Sequence, residues 1–214
     1  MSRLTLVLGN RNYSSWSLRP WLLMRMLDID FEEIVIPLDQ ADTRKTIARY
    51  TPAGRVPVLI DGDLHVWDSL AIMEYLAESH PSAWPADRRD RARARSLAAE
   101  MHSGFMGLRE EFPMNIRAGG RRIEPGAAAA RDIERVRGIF EDCMEKSKGP
   151  MLLGNFCALD AMFAPVVMRF RTYALELGPL GAVYADKIVN LKPMREWSEH
   201  AHEETWRIEH EEVG

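Results

Sequence analysis

Three hydroxyls crowd into four positions where one apolar run gives way to another. Ser14, Ser15 and Ser17 lie in NYSSWSLRPW, between LTLVLG and LLMRML. A hydroxyl donates one hydrogen bond and accepts others, and at a helix start it has two uses. It can cap the free backbone N–H groups, or it can help those groups and the positive end of the helix dipole to hold an anion. With Ser17 as the N-cap, Pro20 falls at the third helical position, where no intrahelical donor is needed. Ser14 and Ser15 then sit in the turn that faces the anion site. Capping alone explains a serine-rich turn equally well.

Two further stretches join this one. Arg55-Val56-Pro57 follows TPAG at the start of a β-rich run. A proline there is a candidate for a cis peptide, which would leave the backbone of Val56 free to pair with an extended peptide; an ordinary trans proline on an edge strand is the simpler alternative. Trp67-Asp68-Ser69 marks the passage from a strand to a helix. Asp68 or Ser69 can cap that helix, and the same N-terminus can bind a carboxylate.

The elements that must carry these residues follow from periodicity. LTLVLG reads as a strand and Ser17–Leu27 as a helix burying Leu18, Trp21, Leu22 and Met26. FEEIVIPL is a second strand, and DTRKTIARY a short polar helix. VPVLI and LHVW flank Asp61-Gly62-Asp63 as a hairpin, before an amphipathic helix at Ser69–Ser79. The order β-α-β-α-β-β-α implies a small mixed sheet with helices on its faces, which is an α/β domain at residues 1–79. HPSAWPAD reads as a linker over residues 80–87. Residues 88–214 read as all helical: long patterns over Arg88–Phe112 and Gly126–Lys148, a strongly apolar one over Leu159–Leu177, and a last one over Lys192–Arg207.

Bulk properties agree. The 214 residues carry a formal net charge of -4 and are 46% hydrophobic, which describes a globular chain with a core of its own. The two cysteines, Cys143 and Cys157, form neither a CxxC pair nor a metal cluster and suit a reducing cytoplasm. No stretch approaches the roughly 18 apolar residues of a membrane span, and no signal sequence is evident, so the expected location is cytoplasmic. The arginine-rich RRDRARAR reads as a solvated helix face in an acidic chain, so no nucleic-acid partner is expected. The histidines of HAHEETWRIEHEE lack the spacing of a metal site, and no metal is expected.

Taken together, SSWSLRPWLL and GRVPVLIDGDLHVWDSLAIMEYLAE resemble the glutathione-binding half of the cytosolic glutathione transferases. The serine pair before a Ser-x-Arg helix start is similar to the zeta-type pattern. GNFCALDAMFAPV and the helical second half fit the same family layout. The resemblance implies a thioredoxin-like domain followed by an all-α domain, with glutathione as co-substrate. It implies that Ser14, with Ser15 as its rival, donates a hydrogen bond to the sulfur. It also implies that Val56, beside a cis Pro57, pairs with the cysteinyl unit, that Asp68 and Ser69 bind the γ-glutamyl end, and that Arg55 serves the tripeptide's carboxylate side. EMHSGFMGLREEFPMN resembles the stretch lining the electrophile pocket, which implicates His102, Phe105, Met106 and Arg109. Trp16 stands where zeta-type enzymes usually carry cysteine and would reshape that pocket. Cys157 replaces the usual Ser or Thr cap of the long central helix, while Asp160 remains. The family also implies a homodimer.

Three functions stay in play on these residues. The first is transfer of glutathione to an electrophile. A glutathione-dependent isomerase of the maleylacetoacetate type is the second, with Trp16 against it. The third is a silent glutathione-fold protein acting through protein contacts, which has no need of the complete residue set.

Overall fold

The computed structural model describes residues 3–147 and 149–214. Four strands, β1 (Leu4–Gly9), β2 (Phe31–Ile36), β3 (Val58–Asp61) and β4 (Leu64–Trp67), form one sheet in the order β2-β1-β3-β4. β1 runs parallel to β2 and antiparallel to β3, and β3 pairs antiparallel with β4. Leu6, Leu8 and Leu59 from the inner strands reach the main core, while Val7 and Val58 join Ile36 and Ile47 on the opposite face. Asp61 pairs with Leu64 across a two-residue loop, and Gly62 takes the positive φ that such a tight turn demands. Helices α1 (Ser15–Met26), α2 (Thr43–Ile47) and α3 (Ser69–Ser79) complete the predicted β-α-β-α-β-β-α order.

A 3-10 turn at Pro81–Ala83 occupies the predicted linker. Six α-helices follow among the described residues: α4 (Arg88–Ser103), α5 (Met106–Glu111), α6 (Ala127–Lys146), α7 (Ala158–Thr172), α8 (Gly178–Val189) and α9 (Lys192–Glu203). α7 is buried along almost its whole length and packs against α1 and α4, so one continuous core joins the sheet half to the helical half. Its start is fixed by Asp160, whose carboxylate accepts the N–H groups of Cys157 at 2.9 Å and Leu152 at 3.2 Å. No helix among the described residues is long and apolar enough to cross a membrane.

Three expectations need correction. α1 begins at Ser15 with Ser14 at the N-cap, so Ser17 is inside the helix and Pro20 is its sixth residue. Ser17 spends its oxygen elsewhere, accepting the N–H of Gly9 at 3.0 Å. The pattern over Arg88–Phe112 is two helices, because Gly104 is extended and Phe105 is left-handed at φ 60. A Cβ on Gly104 would lie 2.8 Å from the Glu100 carbonyl, so this break accommodates only glycine without a shift. Finally, α8 starts at Gly178-Pro179, where the sequence showed only the end of an apolar run. The predicted end of α6 at Lys148 lies outside the described residues.

Candidate active site

A cavity of about 830 Å³ opens between the sheet half and the helical half. Ser14, Ser15, Trp16, Arg55, Val56, Pro57, Asp68 and Ser69 line one side, and His102, Arg109 and Arg169 come from the helices. The three sequence stretches singled out for chemistry therefore meet in one place, although more than fifty residues separate the serines from Asp68.

Each stretch is held by its own local device. β1 delivers the serine turn: a Cβ on Gly9 would meet Leu38 at 2.7 Å and Ser14 Cβ at 3.1 Å, so glycine lets the turn close against the sheet. Glu204 accepts the N–H groups of Arg11 at 2.7 Å and Asn12 at 3.1 Å, and Trp197 Nε1 donates to the Arg11 carbonyl. Tyr13 donates to Glu212 at 2.5 Å. Residues far along the chain thus clamp the segment just ahead of Ser14. The Ser14 hydroxyl is buried and lies 2.8 Å from that of Ser17. Ser15, the first residue of α1, has its hydroxyl 3.5 Å from Arg169 Nη2.

The Val56–Pro57 peptide is cis, and Val56 lies just outside the ladder, which begins at Val58. Asp68 sits at φ 79 and caps α3, its carboxylate accepting from Leu70 at 2.9 Å and Ala71 at 3.3 Å. Its other oxygen is 3.1 Å from His102 Nε2. Burial lowers the His102 pKa, with Arg19 and Arg109 adding to the effect and Asp68 opposing it. Arg55 is exposed at the cavity rim.

Two cations lie against Trp16: Arg19 is 4.2 Å and Arg109 4.7 Å from its ring, with His102 edge-on at 5.3 Å. Arg109 is anchored by donating to the carbonyls of Gly104 and Met101. Phe105 turns into the core and Met106 faces outward at 57% exposure, so neither joins the cavity lining. Of the four residues expected from the helical half, the cavity receives His102 and Arg109.

Sequence reasoning did not single out Arg19, Arg169 or Glu211. Arg19 is completely buried and donates to Ser69 Oγ at 3.5 Å. Burial pushes its pKa well below the usual arginine range, and Arg109 and Arg169 push the same way. Arg169 is lowered to about 10, again chiefly by burial. Glu211, in a 3-10 turn at Glu209–Glu211, is raised by burial and drawn down by Arg169. The available signal was an arginine inside each of two otherwise apolar helix runs, SLRPWLL and FAPVVMRF. Among the described residues no cluster could hold a metal.

A four-stranded mixed sheet with a cis-proline turn leading into its inner strand β3, joined to a helical bundle across a polar cavity, defines a two-part thioredoxin-like and all-α protein. Residues 13–79 match the family described as glutathione S-transferase, N-terminal domain. A probable maleylacetoacetate isomerase of Caenorhabditis elegans is 24% identical over 177 residues, covering 81% of each chain. Among solved structures, a glutathione transferase homolog from Burkholderia with bound glutathione superposes with a TM-score of 0.75. It is 22% identical, over 95% of this chain and 100% of that one. A maleyl pyruvate isomerase described as a bacterial zeta-class glutathione S-transferase gives 0.70 at 21% identity, over 92% and 97% of the two chains.

Proposed function

We propose that the chain is a glutathione transferase in which Ser14 holds the thiolate of glutathione for attack on an electrophilic carbon. One observation carries the reading: a buried hydroxyl at the N-cap of α1 opens on the same cavity as Val56, Pro57, Asp68 and Ser69. Glutathione supplies the thiol. A free thiol has a pKa of about 8.5, so only a few per cent is ionised at neutral pH. The α1 N-terminus and the Ser14 hydroxyl favour the anion. Ser14 Oγ donates to Ser17 Oγ, which also accepts the Gly9 N–H; a turn of the two hydroxyls, with Ser17 donating to Ser14 instead, frees the Ser14 proton for the sulfur. Ser14 keeps its proton throughout.

Val56 offers backbone pairing to the tripeptide, and Asp68 with Ser69 takes its amino-terminal end. Arg55 takes a carboxylate at the rim, while Trp16, His102 and Arg109 face the electrophile. The glutathione half spans residues 1–79, the linker 80–87 and the helical half 88–214. A cytoplasmic homodimer in detoxification completes the reading. Isomerisation of the maleylacetoacetate type is the second reading. Its support is the C. elegans relative, matched over four-fifths of both chains.

The test is an ultraviolet titration of bound glutathione in wild type, Ser14→Ala and Ser15→Ala. Wild type should bind glutathione with a thiol pKa below the free value, and Ser14→Ala should raise it by about one unit or more, the worth of a hydrogen bond to a charged group. Loss of the shift in Ser15→Ala alone would transfer the role to Ser15. No shift in either variant would refute the mechanism.

A further inference from the structure

We infer that the chain carries a second binding site, for a phosphate-type anion, in a pocket of about 320 Å³ between the loop after α5 and the C-terminal segment. Asn115, Arg117, Arg121, Thr205, Arg207 and Glu212 line it, and none of these lines the catalytic cavity. The walls are fixed without a ligand. Thr172 donates its hydroxyl to the Asn115 carbonyl at 2.8 Å, and its own carbonyl accepts the N–H of Arg121 at 2.9 Å, so the end of α7 pins the loop twice. Asn12 holds the stretch between, accepting the N–H of Ile116 at 3.2 Å and that of Arg117 at 2.8 Å. Arg117 lays the C-terminal segment across this loop by donating to the carbonyls of Glu204 and Trp206, and Arg121 does the same at Val213.

Three guanidinium groups meet one carboxylate in this pocket, and that carboxylate is already engaged. Glu212 accepts from Tyr13 on one oxygen and from Arg121 on the other. Arg207 pairs with Glu209 at 3.0 Å, but both side chains are exposed and solvent screens the pair. Glu204 feels the charge of Arg117, yet its two oxygens take the N–H groups of Arg11 and Asn12. Arg117 itself forms no ion pair among the described residues; its terminal nitrogens reach two carbonyls and the Tyr13 hydroxyl. Asn115 is 1% exposed, and its amide nitrogen has no hydrogen-bond partner there, with Glu212 as its acidic neighbour. Thr205 adds a hydroxyl. A buried donor without an acceptor is costly, and a ligand oxygen would supply one. Planar arginine forks, an amide and a hydroxyl suit a tetrahedral anion with several acceptor oxygens and nearly two negative charges. A carboxylate, with two oxygens and a single charge, would leave part of this set unmet. The pocket also backs onto the catalytic cavity: Tyr13 and Glu211 line the cavity, while Glu212 and Arg117, 3.0 Å from the Tyr13 hydroxyl, line the pocket. An anion here would brace the segment that holds the turn ahead of Ser14.

The test is calorimetric titration of the full chain with orthophosphate and with phenyl phosphate at constant ionic strength. Both should bind saturably; equal affinity would identify free phosphate as the ligand, and tighter binding of phenyl phosphate would identify an ester. Arg117→Gln and Arg207→Gln should each weaken binding about tenfold, the worth of one hydrogen bond to a charged group. Arg109→Gln, which takes a guanidinium from the catalytic cavity instead, should leave the affinity within about twofold. Arg207 is exposed and pairs only with Glu209, so its variant decides the matter should Arg117→Gln unfold. Absence of saturable binding would overturn the site. So would binding that Arg207→Gln leaves unchanged, or binding that Arg109→Gln abolishes, which would put the anion in the catalytic cavity. None of these outcomes depends on glutathione, so the site stands or falls apart from the transferase reading.

Discussion

Asp160 offers a prediction whose sign and size both follow from its surroundings. The side chain is completely buried at the start of α7, and burial raises its pKa from 3.8 to about 6 despite the N–H groups of Cys157 and Leu152. The folded chain therefore holds this proton more tightly than the unfolded chain does. Well below pH 4 both states are protonated and the group makes no difference. As pH rises from there to about 6 the unfolded chain ionises first, and stability falls. Above that range the loss is complete, at about 3 kcal/mol for a shift of two units. Asp160→Asn removes the titration but keeps one carbonyl oxygen for the backbone. Urea unfolding of both proteins, at pH values of about 5, 6 and 7, isolates the residue as the difference between them. On going from the highest to the lowest of these, the wild type should gain on the variant by about 1 kcal/mol. A constant difference, or a wild type that gains as pH rises, would mean that the two hydrogen bonds outweigh burial. α7 also carries Arg169, so the same titration bears on the helix that delivers that guanidinium to the cavity.

Other predictions follow from single contacts. Ser17→Ala strips the buried Gly9 N–H of its acceptor and Ser14 of its hydroxyl neighbour; it should cost about 2–3 kcal/mol in denaturant unfolding, and a loss near zero would show that the turn finds another acceptor. Trp16→Leu removes the ring against which Arg19 and Arg109 lie, and a loss of about 1–3 kcal/mol is expected from two partly desolvated cation–π contacts, measured in the same way. Asp68→Asn retains an oxygen for the α3 cap but removes the charge that raises the His102 pKa. NMR titration of His102 should then show a lower pKa than in wild type, and an unchanged value would mean that the ion pair does not form in solution.

Most of the sheet half was legible because its signals are local. Alternating apolar residues mark the strands, Asp61-Gly62-Asp63 marks the hairpin, and Asp68 caps α3 directly after a strand. The serine turn was located correctly, but its cap was misassigned by three positions, Ser17 for Ser14. Pro20 suggested an early helical position, whereas α1 tolerates it as the sixth residue. The break between α4 and α5 was hidden because MHSGFMGL continues the helical spacing of apolar side chains while Gly104 and Phe105 leave the helical backbone. The resemblance of this stretch to a pocket-lining one implicated Phe105 and Met106, and the left-handed turn at Phe105 redirects both. The arginine cluster was invisible for a different reason. Arg19 and Arg169 are 150 positions apart in sequence, and only the packing of α7 against α1 brings them together.

The most direct measurement of the central claim is a crystal structure with glutathione bound. The sulfur should lie within hydrogen-bonding distance of Ser14 Oγ, the cysteinyl backbone should pair with Val56, and the amino-terminal end should sit at Asp68 and Ser69. A sulfur held by Ser15, or a tripeptide seated outside the cavity that Ser14 lines, would contradict it.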